Sequence, residues 1–442
     1  MRIRLALAVS LMVSLAGCDS ILDQSPVDEL PSDRAITTAE GARAALAGAY
    51  NALQSLRYYG GDFLFFGDLS ADNAVNTGTS TSFALADANL LRADNGTNQL
   101  IWNALYDGIN RVNNILEKVP PLTDLEDTEK NQILGEAHAL RALHLHNLVK
   151  FYGDVPIRTT PAVSIEEAAQ IVRSPAADVY IQIRTDLAAA EELITETEPA
   201  TRVTAGAVDA LQARVALYEA DYGTAVTEAD EVIAQDYSLA SDYEDLFDEE
   251  GADTPEDILK VIFTAQQFTN IGFYYISADL GGAGEVAPSQ SLIDAYDPDD
   301  ARLAWSISGD TEGSASGVKF PTTFGGEDFH IIRLVEVLLI KAEALARQGD
   351  LGGAVDAYNE IRDRAGLPPH NLGDEVTTQE EVLAAIDLER RLELAFEGDR
   401  WPDLVRTGRA AAVMEIPEFQ TLYPLPQGEI DVAPGLTQNP GY

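Results

Sequence analysis

The sequence predicts a mainly α-helical chain, and three observations carry that expectation. Apolar residues recur at helical spacing, as in Leu100, Trp102, Leu105, Ile109, Val112, Ile115 and Leu116 between Gln99 and Val119. Helix punctuation stands at the ends of such runs: Pro120 and Pro121 after Val119, Gly153 and Pro156 after Phe151. Two distant segments also resemble each other, "LYEADYGTAVTEADEVI" from Leu217 and "LARQGDLGGAVDAYNEI" from Leu345.

In chain order, Thr38 caps an Ala-rich helix running to Leu56. Tyr58 to Asn95 is rich in Gly, Asp, Asn, Ser and Thr and is expected to be loop-rich. Helices follow from Gln99 to Val119 and from Asp127 to Phe151; the second is apolar at Ile133, Leu134, Ala137, Leu140, Leu143 and Leu148. The two similar segments each read as helix, short turn, helix. Ala225-Val226 falls on Ala354-Val355, Ala229 on Tyr358 and Val232 on Ile361. Small residues let paired helices approach closely, a tetratricopeptide-like pattern whose units need stacked neighbours to bury their apolar faces. With the Asp127–Phe151 and Val382–Phe396 helices, about four helix pairs are expected, the repeat-like half of one fold. Asp236 to Gly326 is irregular, with a strand at Ile258–Phe263 and a loop at Gly281 to Gly284. One domain over 37–442 is expected, helical near 37–57, 99–235 and 331–408, and loop-rich near 58–98 and 236–330.

Residues 1–17 read as a signal peptide. Arg2 and Arg4 precede an apolar run, Leu5 to Leu15, too short to span a bilayer. The run ends in Leu15-Ala16-Gly17-Cys18, similar to the bacterial lipoprotein cleavage box, so Cys18 is the expected lipidation site. Cys18 is the only cysteine, which excludes an internal disulfide. Residues 18–36 then form a lipidated tether, anchoring the chain to a membrane rather than across it.

The charge is strongly acidic: 73 Asp and Glu against 29 Lys and Arg give a net charge of −44. Such a surface repels phosphate backbones, so nucleic acid is excluded as a partner. Apolar periodicity persists along the chain, so the acid is a solvated surface, read as an adaptation to a salty medium where screening relieves self-repulsion.

Catalytic and metal motifs are not found. His138, His144 and His146 are six and two residues apart, not the i, i+4 spacing of a one-helix metal site. "GSASG" at Gly313 has Ala at the nucleophile position, and Gly281 to Gly284 lacks the Lys-Ser/Thr of a phosphate loop. "DPDDAR" at Asp297 lacks the Gly and distal Glu of a calcium loop; Asp300 and Arg302 are expected to pair or turn. No cofactor is implied. With so many acids, carboxylate pairs arise by chance, so glycosidase chemistry has no support from their number. Aromatics in the irregular segments carry more information, because flat rings suit sugars and other amphipathic ligands. Tyr58, Tyr59, Phe65, Phe66, Tyr274, Tyr275 and Trp305 are ligand-binding candidates, with Asp72 and Asn73 as polar partners.

Several blocks together resemble one family. They are "CDSILDQSP" from Cys18, "IWNALYDGINRVNNIL" from Ile101 and "GEAHALRALHLHNLVKFYGDVP" from Gly135. "KF" at Lys319, "RLVEVLLIKAEALARQGD" from Arg333 and "IRDRAGL" from Ile361 continue the series, and "ERRLELAFEGDRWPDLVRTG" from Glu389 and "LYPLPQGEI" from Leu422 complete it. The chain is identified by them as resembling the SusD/RagB family of nutrient-binding lipoproteins. The resemblance implies a SusD-like fold: four tetratricopeptide-like pairs plus an irregular ligand-binding half with little strand. It implies a non-enzymatic role at the outer face of the outer membrane, capturing oligosaccharide or another nutrient for a SusC-like TonB-dependent barrel. Ligand residues share no family motif, so none is carried over. A glycoside hydrolase and a tetratricopeptide-type protein scaffold remain the alternatives. Within "AFEGDRWPDLVRTG", Leu388, Leu392, Ala395 and Phe396 give the preceding helix an apolar face, and Gly398 breaks it. Trp401 is expected to anchor a structural corner, with Arg400 and Arg406 pairing nearby acids.

Overall fold

The structure is a computed structural model and describes residues 36–162, 167, 169–247, 253–264, 266–323 and 325–442. The expected signal peptide, most of the tether and Cys18 lie outside those residues. Among the described residues, no helix is long and apolar enough to cross a membrane.

The chain is mainly α-helical. The Thr38 hydroxyl accepts from the Gly41 N–H at 3.1 Å and opens helix Ala39–Leu53. Helices Gly96–Lys118 and Asp127–Tyr152 follow within a few residues of their expected ends and pack together. Asp127–Tyr152 is buried on almost every side beyond Gln132, so it serves as a central post. A helix that periodicity did not single out, Ala176–Leu193, packs along it. Asp186 of that helix receives Arg141 at 2.6 Å and His138 at 2.7 Å, which gives His138 a structural partner. His144 and His146 are buried in the post, and neither belongs to a group of three or more candidate metal ligands among the described residues.

The two similar segments are equivalent hairpins. One joins Ala205–Tyr218 to Tyr222–Ile233; the other joins Leu334–Gln348 to Leu351–Arg364. Asp221 and Asp350 cap the second helix of each, accepting from the N–H three residues on, at 3.2 and 3.0 Å. Ala225, Ala229, Ala354 and Ala357 are buried where the helices meet. The hairpins pack against each other, and helix Gln379–Glu393 covers the second.

The rest is irregular with little strand. Among the described residues, three two-stranded antiparallel ladders form: Ala74–Asn76 with Val286–Pro288, Asp257–Val261 with Phe329–Arg333, and Ile307–Ser308 with Ser316–Gly317. Segment 58–98 differs from its expected loop character, because it contains helices Asp62–Leu69 and Thr81–Asp87. Every residue of "DFLFFGDL" is buried, so the first has no polar face for periodicity to detect.

A buried ionic network joins the two halves. Arg302 meets Asp300 at 2.7 Å, as expected from the sequence, and Glu389 at 2.8 Å. Arg333 meets Glu256 at 2.8 Å and Glu393 at 2.7 Å, while Lys319 meets Glu397 at 2.6 Å. Burial alone would raise the Glu393 carboxyl; Arg364, Arg333, Arg302 and Lys319 outweigh it and hold Glu393 well below the usual range.

Candidate functional site

The predicted ligand residues separate into a buried set and an accessible set. Tyr58, Tyr59, Phe65, Phe66, Asn73 and Tyr275 are core residues. Tyr58 and Tyr59 stack with centroids 4.2 Å apart, and the Asn147 amide donates to both hydroxyls. Phe66 packs edge-on to Tyr423. Phe65 packs edge-on to Tyr274 and Tyr275 at 5.2 and 5.4 Å. Tyr275 donates its hydroxyl to Asp68 at 2.9 Å. These rings lie beneath a surface rather than lining it, because each apolar ring finds ring partners in the core.

Asp72 and Asn73 belong to the corner at "AFEGDRWPDLVRTG". Asp72 pairs with Arg400 at 2.7 Å and Arg391 at 3.3 Å. Burial would raise its carboxyl, but these guanidiniums hold it below the usual range. Asn73 accepts from Arg391 and donates to Asp68. Trp401 is fully buried, and Arg406 pairs with Glu343 and Asp403, both at 2.5 Å. Of the apolar face expected before the corner, Leu392, Ala395 and Phe396 are buried, whereas Leu388 is exposed. Gly398 sits at φ 72°, and its backbone lies so close to Gly67 that a Cβ there would be 2.4 Å from the Gly398 carbonyl oxygen. A Cβ at Gly398 would in turn stand 2.9 Å from the Leu64 Cα, so neither position admits a side chain without a shift.

Tyr274 and Trp305 remain partly accessible. Trp305, on helix Leu303–Ser306, makes no ring contact with the Phe65–Tyr274 cluster among the described residues. Tyr274 sits on the short helix Ile271–Tyr275 beside Phe273, which is also half-buried, with ring centroids 5.6 Å apart. Phe65 and Phe83 support the Tyr274 ring from below. The turn at Gly281 to Gly284 returns against this helix: Ala283 N–H donates to the Phe273 carbonyl at 2.7 Å. A Cβ at Gly282 would stand 2.0 Å from the Ile276 carbonyl oxygen, so this approach needs glycine. The Thr77 hydroxyl donates to the Gly284 carbonyl, and Glu285 accepts from the Thr79 N–H at 3.2 Å. The run Thr77-Gly78-Thr79-Ser80-Thr81-Ser82 thus joins the Gly284–Glu285 end of that turn and leads into Phe83, whose ring packs on Tyr274. Residue-by-residue reading missed this run; its hydroxyl density directly before Phe83 was the available signal.

The resulting face has half-exposed rings, hydroxyls and carboxylates. It can stack a flat apolar face and hydrogen-bond around it. A larger groove, about 830 Å³, lies elsewhere, lined by Arg43, Tyr50, Gln54, Glu129, Arg202 and Ile262 among others; none of the predicted ligand residues lines it. The Tyr50 hydroxyl there is taken by Glu136 and the Val203 N–H.

Two family models match the chain. One, described as the SusD family, matches residues 318–414; the other, described as starch-binding and associating with the outer membrane, matches residues 21–217. The chain belongs to the SusD family. This SusD-family chain is 28% identical to SusD-like protein P38 of Formosa agariphila, over 97% of its own length and 96% of that protein. It is 30% identical to the starch-binding protein SusD of Bacteroides thetaiotaomicron over 27% of its length and 22% of the relative's. A solved laminarin-binding SusD-like protein superposes with a TM-score of 0.80 at 24% identity, covering 92% of this chain and 100% of that one. At that identity the likeness carries the SusD fold and nothing finer. The corner and the Lys319 network lie within the first matched span, whereas helix Ile271–Tyr275 lies between the two.

Proposed function

We propose that this SusD-family chain binds a glycan at the cell surface and delivers it, unaltered, to a SusC-like TonB-dependent barrel in the outer membrane. The observation that carries the binding step is the half-buried Phe273–Tyr274 pair, whose Tyr274 ring packs on Phe65 and Phe83 and whose helix is met by the Gly281–Gly284 turn that Thr77 bonds. A ring already fixed in place loses little freedom when a sugar stacks on it. The starch-binding and laminarin-binding names of its relatives favour a glucan-like ligand. Lipid on Cys18 anchors the chain with its body outside the cell, and the family description, associating with the outer membrane, agrees with that placement.

Affinity electrophoresis against a panel of glycans tests the binding step. Retardation that Tyr274→Ala abolishes, with no sugar released on incubation, is the expected result. Release of shorter products would replace binding by hydrolysis. For the anchor, Cys18→Ala is expected to move the protein from the membrane to the soluble fraction. For delivery, a barrel transporter is expected to co-purify with the lipidated protein; glycan uptake unaffected by deletion of the chain would end that part of the reading.

A further inference from the structure

We infer that the Phe273–Tyr274 face takes a neutral glycan and discriminates against polyuronates and sulfated glycans; the inference rests on the binding role proposed above. Among the described residues, the charged groups that act on Tyr274 are two carboxylates and one guanidinium. Glu285 and Asp62 both act on the Tyr274 phenol, and together with burial they disfavour its ionised form. Beyond the strand Ala74–Asn76, Asp87 accepts from the Asn76 N–H at 3.2 Å, and Glu312 lies close enough to disfavour its ionisation further, adding to burial. Asp279 is exposed on the turn Ala278–Leu280 that follows the aromatic helix. The cation that reaches Tyr274 is Arg57, and its guanidinium is already paired with Asp62 at 2.7 Å.

A neutral sugar gains from this arrangement. Its hydroxyls donate to carboxylates, and charge-assisted hydrogen bonds of that kind are stronger than neutral ones. The hydroxyls from Thr77 to Ser82 can donate or accept, so they fit the mixed polarity of a sugar edge. A glycan bearing a carboxylate or sulfate on each ring meets repulsion instead, with no unpaired guanidinium from Arg57 to receive it. The net charge of −44 adds a long-range barrier to the approach of any polyanion.

The test uses the full chain and affinity electrophoresis at low ionic strength. Neutral probes are an α-glucan, a β-1,3-glucan, a xylan and a mannan; anionic probes are alginate, polygalacturonate and a sulfated galactan. At least one neutral glycan is expected to bind about tenfold more tightly than every anionic one. The gap is expected to narrow as salt rises and in the exposed-site variant Asp279→Lys/Glu312→Lys. Polyuronate or sulfated glycan binding that matches or exceeds the neutral probes, and that Tyr274→Ala removes, would overturn the neutral preference while leaving the binding role intact. Binding of no glycan at all would overturn the binding role and this inference with it.

Discussion

The corner at Ala395–Gly408 and the face at Phe273–Tyr274 have the same ingredients, aromatic rings beside carboxylates, yet they do opposite work. At the corner each charge has a partner. Arg390 meets Asp399 at 2.8 Å, Arg400 meets Asp72 and Asp387, and Trp401 stacks on Tyr423 in full burial. At the aromatic face, Asp279 and Glu312 are exposed and two rings are left half-covered. The difference lies in the cations. Arginine-rich "DRWPDLVRTGR" supplies the corner with guanidiniums that fork onto carboxylates, whereas Thr77 to Ser82 and Phe273 to Gly284 contain no Lys or Arg. Pairing closes the corner to ligands; the half-covered rings and exposed Asp279 and Glu312 are what the proposed binding role uses at the other face.

The largest way to break the comparison is at the corner. Trp401→Ala is expected to cost about 3–5 kcal/mol of folding stability, since it empties a fully buried indole site. Urea unfolding measures this. Where the variant is still folded, its glycan affinity is expected to stay within about twofold of the parent's, because Trp401 stacks on Tyr423 and makes no ring contact with Phe273 or Tyr274 among the described residues. A variant of unchanged stability that had lost only binding would reverse the roles assigned to the two regions.

Acid separates them next. Burial pushes the His144 imidazole down to about 3, and neither ring nitrogen has a hydrogen-bond partner among the described residues. A lowered folded value means that the unfolded chain binds the proton first. This contribution to stability is therefore complete above about pH 6.5 and is lost as pH falls toward 3, by about 1.4 kcal/mol per pH unit. His146, also pushed down by burial, acts in the same direction. Glu393, held low by its arginines, adds a loss that begins only below about pH 4.3. The pH slope of unfolding free energy between 6.5 and 5 is expected to fall in His144→Leu. At the aromatic face burial raises the Asp62 and Asp87 carboxyls, so binding by the folded protein is expected to change with pH through carboxylates rather than through a buried imidazole.

Tyr274→Ala is the converse of Trp401→Ala. It is expected to weaken glycan binding by about 1–2 kcal/mol, roughly tenfold, while moving the unfolding midpoint far less than the corner variant does. Paired calorimetric titrations and melts of the two variants give the comparison directly.

The sequence revealed these regions unequally. Helices with a wet face, such as Gly96–Lys118, declared themselves by periodicity, and the corner did so through Gly398, Trp401 and its arginines. Helix Asp62–Leu69 did not, because burial on all sides removes the alternation that periodicity detects. For the same reason Tyr58, Tyr59, Phe65 and Phe66, surrounded by Gly, Asp and Asn in the sequence, read as loop aromatics although they are core. Tyr274 and Tyr275 are adjacent and chemically alike; only the fold decides that one turns outward and the other donates to Asp68. Composition can locate an aromatic segment, but exposure depends on what packs beneath it.

The smallest effect sharpens the part of the comparison that the sequence read best, the two equivalent hairpins. Each turn needs a left-handed residue just before its capping Asp. In one that residue is Gly349 at φ 91°, in the other Ala220 at φ 58°. The hydrogen bonds match: Gly349 and Ala220 donate to Ala346 and Leu217, and Asp350 and Asp221 donate to Leu345 and Ala216. A Cβ at Gly349 would meet nothing within 4 Å, so the two turns differ by backbone strain and not by packing. Left-handed geometry costs a non-glycine residue about 1–2 kcal/mol. Glycine also gains freedom in the unfolded chain, which offsets about 0.4–1 kcal/mol of that. Ala220→Gly is therefore expected to stabilise the fold by about 0.5–1 kcal/mol, and Gly349→Ala to destabilise it by a similar amount, both read as shifts in the urea midpoint at constant slope. Equal and opposite shifts would establish that the hairpins are the same unit carrying different strain; a loss of stability in both variants would mean that the Ala220 methyl makes contacts its partner hairpin does without.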